Sequence, residues 1–144
     1  MATPSRALIL DHVQAALSAL GTVQRTFRDW GEVGKGEMPW LGCWLGKTTF
    51  QHTPGREIRA IAELRVLAHV NHESPADRAQ ALAAMEDAII AALNVDITRG
   101  GAALGTFLEA SETEGQDDTI DSRGGTGTLG MLFRIIYFRT ADAT

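Results

Sequence analysis

Residues 129–140 read LGMLFRIIYFRT, and the way their apolar side chains alternate decides what kind of fold the chain must build. Read as a strand, Leu129, Met131, Phe133, Ile135 and Tyr137 point one way, while Leu132, Ile136 and Phe138 point the other. A strand wet on one side alternates apolar with polar residues, and one covered on both sides does not. In a chain of 144 residues the second apolar face needs its own cover, either a helix layer or another copy of the protein. Before this strand lies a glycine-rich acidic run, 109–127, that carries Glu109, Glu112, Glu114, Asp117, Asp118 and Asp121 and no cation until Arg123.

Working backwards, Ile58–Val70 holds period-two alternation for about thirteen residues, which is strand and not helix. Its apolar face is Ile58, Ala60, Ala62, Leu64, Val66, Ala68 and Val70; Ile61 and Leu67 interrupt the polar one. Ser74-Pro75-Ala76-Asp77 then supplies an N-cap serine, a first-position proline and an acid at the third position. The stripe Ala79, Leu82, Met85/Glu86, Ile89 and Leu93 continues it, predicting a helix over 75–93. Near the start, Thr3-Pro4 and the helical spacing of Leu8/Ile9, Val13, Ala16/Leu17 and Leu20 predict a helix over 4–20, closed by Gly21. Short strands are expected at 22–28 and 40–45, a turn-rich stretch at 47–55, and a further strand at 104–111. The order is α-β-β-β-α-β-β: one α+β domain, a mostly antiparallel sheet packed against two helices.

Composition excludes several functions. A formal charge of −5 argues against a nucleic-acid binder, which ordinarily presents a basic patch. No apolar run approaches the roughly 20 residues of a membrane span, and Asp11, His12 and Gln14 interrupt what would be a signal peptide's core. Cys43 is the only cysteine, so neither an internal disulfide nor a thiolate zinc cluster is available. Gly42-Cys43-Trp44-Leu45-Gly46-Lys47-Thr48 resembles a phosphate-binding loop but is one residue short between its glycines, and no helix follows it. Its plainer reading is a strand ending in a glycine turn. His12, His52, His69 and His72 show no tight ligand spacing. Cys43 sits among Trp40, Leu41, Trp44 and Leu45, an apolar setting that quiets a thiol. The acidic run lacks the alternate oxygen spacing of a calcium loop, so no metal, cofactor or catalytic residue is expected.

Two loops, 29–39 and 112–127, are expected to be mobile in the free protein. Ordering costs roughly 1–2 kcal/mol per residue, on the order of 20 kcal/mol for a fifteen-residue loop. Ile120 is the one large apolar side chain in the acidic loop able to offset that. Trp30, Trp40 and Trp44 fall in one glycine-flanked window and read either as core or as interface anchors, with Trp30 the better anchor because its neighbours are polar. Candidate contact residues are Trp30, Trp40, Phe133, Ile135 and Tyr137; candidate lumen or docking residues are Glu112, Glu114, Asp117, Asp118 and Asp121.

Several fragments in sequence add a resemblance. They are Ser5-Arg6-Ala7-Leu8-Ile9-Leu10, Gly21-Thr22-Val23-Gln24-Arg25, Met38-Pro39-Trp40-Leu41, Arg56-Glu57-Ile58-Arg59 and Ala68-His69-Val70. Ser74-Pro75-Ala76-Asp77, Arg99-Gly100-Gly101-Ala102 and Ile136-Tyr137-Phe138-Arg139-Thr140 follow. Together their order resembles the tail-terminator (minor tail, tail-completion) proteins of long-tailed bacteriophages and prophages, although the acidic loop is longer than that family leads one to expect. The resemblance implies a homo-oligomeric ring, a hexamer, that caps the tail tube, stops its polymerisation and docks head-completion or neck proteins. It implies a place in the virion after assembly in the host cytoplasm, no catalysis and no cofactor. Six acidic subunits would let DNA pass without specific binding, because like charge repels phosphate. The alternatives are another neck, head-closure or tube-like virion protein, a small-molecule-binding α/β regulatory domain, or a small enzyme.

Overall fold

The computed structural model describes residues 5–52, 57–114 and 125–140. Its elements are α1 (Ser5–Leu17), β1 (Thr22–Gln24), β2 (Trp40–His52), β3 (Glu57–Asn71), α2 (Pro75–Asn94), β4 (Gly105–Glu114) and β5 (Thr126–Thr140), with two short 3-10 turns between β1 and β2. This is the expected α-β-β-β-α-β-β order in one α+β domain. The five strands lie side by side in the order β1-β2-β3-β5-β4. β1 runs parallel to β2, and every other neighbouring pair is antiparallel.

Position in the sheet explains the composition of each strand. β5 lies between β3, which pairs with it from Thr126 to Thr140, and β4, which pairs with Thr128–Ile136, so it is an interior strand of the sheet. β4 is an edge strand and is mostly exposed. Both helices cover one face of the sheet. Ile9, Val13 and Leu17 of α1, spaced four apart, and Leu82, Ile89 and Leu93 of α2 are completely buried there. Opposite them lie Ala60, Ala62, Leu64, Val66 and Ala68 of β3 and the 129-to-137 stripe of β5. α2 rests on strand backbone at Gly127, where an added Cβ would stand 2.9 Å from Leu82 Cδ1. Ser74 caps α2, its Oγ accepting from the Asp77 N–H at 3.5 Å, with Pro75 in the first turn as predicted.

β2 is longer than its sequence suggested. The stretch read as turn-rich continues as strand to His52, and Thr48–His52 pair with 58–62 of β3. A register shift between Leu45 and Thr48 absorbs Gly46 and Lys47, so the glycine disturbs the ladder without ending it. In contrast, β1 stops at Gln24, four residues earlier than read, and α1 ends at Leu17.

Candidate functional site

The face of the sheet away from the helices is the surface with functional promise. Cross-strand partners share a face, so the register lays it out in rows. One row runs Thr49–Ile61–Ile136–Gly105; beside it lie Arg59 and Phe138. The next is Glu63–Arg134–Phe107, then Trp44–Arg65–Leu132–Ala110, then Gly42–Leu67–Gly130–Glu112. Phe107 and Phe138 are 51% and 43% exposed, far more than aromatic residues in a covered strand. Charges cross the middle of this face: Arg65 donates to Glu63 (3.4 Å) and Arg134 to Glu109 (2.7 Å). The open face is thus two apolar areas separated by a band of ion pairs. That mixture suits a subunit contact better than a dry core.

One end of this face is covered from within the chain. Trp40 stacks on His69, ring centroids 5.4 Å apart at 16°. The Trp40 indole N–H donates to Gln24 Oε1 at 3.0 Å, and the Arg28 guanidinium lies 5.9 Å from the ring centroid. His69 Nε2 sits 2.7 Å from the Arg28 carbonyl oxygen, which has no proton, so this ring nitrogen donates; Nδ1 meets Thr128 Oγ1 at 3.0 Å. These bonds pin the segment after β1 onto the sheet. Gly42 makes the close approach possible, since an added Cβ would stand 2.3 Å from the Thr26 carbonyl oxygen. Beyond Trp40, Phe27 meets Trp44 edge-on at 5.9 Å, and these two rings wall a groove of about 320 Å³ floored by Leu67 and Leu132, with Glu112 opposite.

The residues singled out in the sequence scatter. Trp40 is fully buried under the 25–39 segment and is a core residue, not a contact residue. Phe133, Ile135 and Tyr137 are likewise buried, beneath the chain's own helices, and the opposite parity of β5 is the one left without a helix over it. Trp30 is half-buried in the first 3-10 turn, where its backbone N–H donates to the Asp29 carboxylate at 2.9 Å. The 29–39 loop carries an internal tie: Glu37 accepts from the Gly34 N–H (2.9 Å) and from Arg28 (3.4 Å), and these bonds hold its carboxyl below the usual range. Glu112 and Glu114 belong to β4 rather than to a loop, placed on the side of the sheet that carries Gly130 and Thr128. Asp117, Asp118 and Asp121 lie outside the described residues.

Among the described residues no three histidine, cysteine or acidic side chains are grouped to hold a metal ion. The glycines of the loop-like 42–48 motif are strand residues of β2. No helix of the described residues is long and apolar enough to cross a membrane. Burial pushes the Cys43 thiol from 9.0 up to about 11, against a smaller downward pull from Arg25. A thiol raised on folding stabilises the fold fully below its unfolded value, and that contribution disappears as pH rises through the folded one. Between pH 9 and 11 this removes roughly 2–3 kcal/mol. Replacing Cys43 by Ala is therefore expected to flatten the alkaline fall in thermal stability over that window, measured by melting at stepped pH. Equal slopes for the two proteins would contradict the burial.

No family model matches the sequence, and no curated protein is similar to it. Among solved structures, one similar chain comes from the virion of a native gene transfer agent (GTA) particle. It shares 12% identity at a TM-score of 0.50, over 93% of this chain and 94% of that one. A likeness at that identity shows a common fold, end to end.

Proposed function

We propose that this chain is a structural protein of a virion, and specifically one that caps the end of a tail tube as a ring. The observation that carries the reading is the open sheet face: Phe107, Phe138, Ile61 and Ile136 sit together without a helix layer over them. An edge strand beside that face gives a head-to-tail neighbour a second contact, and repeating one such heterologous contact by rotation closes a ring. The fold shared with a virion chain over nearly the whole length supports the same reading. The role calls for no catalysis and no cofactor. Its partners are further copies of itself, the tube protein on one side and a head-completion or neck protein on the other, with DNA passing through. Its place is the virion tail or neck, reached by assembly in the host cytoplasm. The end-to-end fold likeness also supports a neck, head-closure or tube subunit, and one experiment separates these. Purified protein added to polymerising tubes of the same particle is expected to shorten them, in proportion to the ratio of cap to tube subunit, and to decorate one end. Incorporation along the whole tube would indicate a tube subunit, and unchanged tube lengths would remove the capping role.

A further inference from the structure

Among the described residues the sheet has two open edges, and they match each other. On one side β4, 10 residues long, is the last strand. On the other, β1 pairs only with residues 40–42 of β2 and leaves 43–52, an equal length, as outer edge. Such an edge presents a row of backbone N–H and C=O groups, a template for another strand. Direction is the first match. The β2–β3, β3–β5 and β5–β4 pairs are all antiparallel, so β4 runs opposite to β2. Rotation about an axis along the strands therefore brings β2 of one copy antiparallel to β4 of its neighbour.

Apolar surface is the second match. On the helix-covered side of the sheet, Leu108 pairs with buried Phe133 and is 44% exposed at one edge. Phe50 pairs with buried Ala60 on the same side and is 45% exposed at the other. Charge is the third. β4 carries Glu109, Glu112 and Glu114, whereas Lys47 is the one Lys, Arg, Asp or Glu within 43–52. Two copies of β4 side by side would set acids against acids, which opposes a two-fold pair and favours a head-to-tail one. We infer that β4 of one copy pairs with residues 43–52 of β2 in the next, so that one sheet runs on through successive subunits. This deepens the ring reading, on which it rests for closure, by naming the strand that meets the edge.

The test mixes two variants, Leu108→Cys and Phe50→Cys, with a thiol cross-linker of about 8 Å span, the reach of cross-strand and diagonal neighbours. Both sites are exposed enough to keep the fold, and Cys43 is buried and stays silent. The mixture is expected to give several times the dimer yield of either variant alone. Lys47→Glu on the Phe50→Cys chain is expected to cut that yield roughly fivefold, and Glu112→Lys on the Leu108→Cys chain to restore it. Dimers of Leu108→Cys alone would show a two-fold β4 pair and overturn the inference. A mixed yield no higher than the separate ones would overturn it too, even where light scattering finds rings. Mixed dimers from a protein that never closes a ring would uphold the edge pairing and remove the ring.

Discussion

Phe107→Asp combined with Phe138→Asp is expected to abolish ring formation while leaving the subunit folded. Both rings are about half exposed in the isolated chain, so replacing them removes little intramolecular packing, and the change in folding stability should stay within about 1 kcal/mol. Covered by a neighbouring subunit, the same carboxylates would be desolvated without a partner, at a cost of several kcal/mol for each ion. Cyclic symmetry repeats that penalty at every contact of the ring. Circular dichroism and thermal melting check the fold, and light scattering checks the assembly. Rings that persist in the double variant would show that the contact lies elsewhere on the molecule.

Trp40→Ala is expected to act in the opposite way, on the fold and not directly on assembly. Large-to-small changes at buried aromatic positions cost about 3–5 kcal/mol. Here the loss also leaves Gln24 Oε1 without its indole N–H donor and takes the stacking surface from His69. Because His69 and Arg28 hold the segment after β1 through that ring, the 25–39 region should lose protection from hydrogen exchange before the rest of the sheet. Urea denaturation measures the first effect and exchange the second. A cost below 1 kcal/mol would contradict the burial described for Trp40.

The contrast between these two sites marks what was legible in the sequence. Period-two alternation identified β3 and β5, and the Ser74-Pro75 start identified α2, because those signals are local: strand geometry and helix capping act over a few residues. Alternation also divided β5 correctly into two faces. It carries no information about which face the helices cover, so Phe133, Ile135 and Tyr137 read as candidate contact residues from the sequence and lie buried in the structure. Trp40 shares the open-face parity of β2, yet the end of β1, 16 residues upstream, reaches over it through the Gln24 side chain. The far half of β2 was hidden by Gly46-Lys47, since a bulge and a turn look alike in one dimension. Glu112 and Glu114 read as loop because acids are poor strand formers, but on an edge strand they face solvent at little cost. Arg99 gave no signal beyond a basic residue before two glycines; its burial comes from the end of α2, α1 and the loop converging on it.

The central claim is that the open sheet face is a contact between copies of this chain in a closed ring. Light scattering behind size exclusion, across a concentration series and with negative-stain images of the largest species, tests it most directly. The account predicts a species of about six subunits with a central hole, formed in solution or nucleated by added tube ends, and lost in the Phe107→Asp, Phe138→Asp variant. A strict dimer with an unbroken outline, unchanged by the two substitutions and by tube ends, would contradict it.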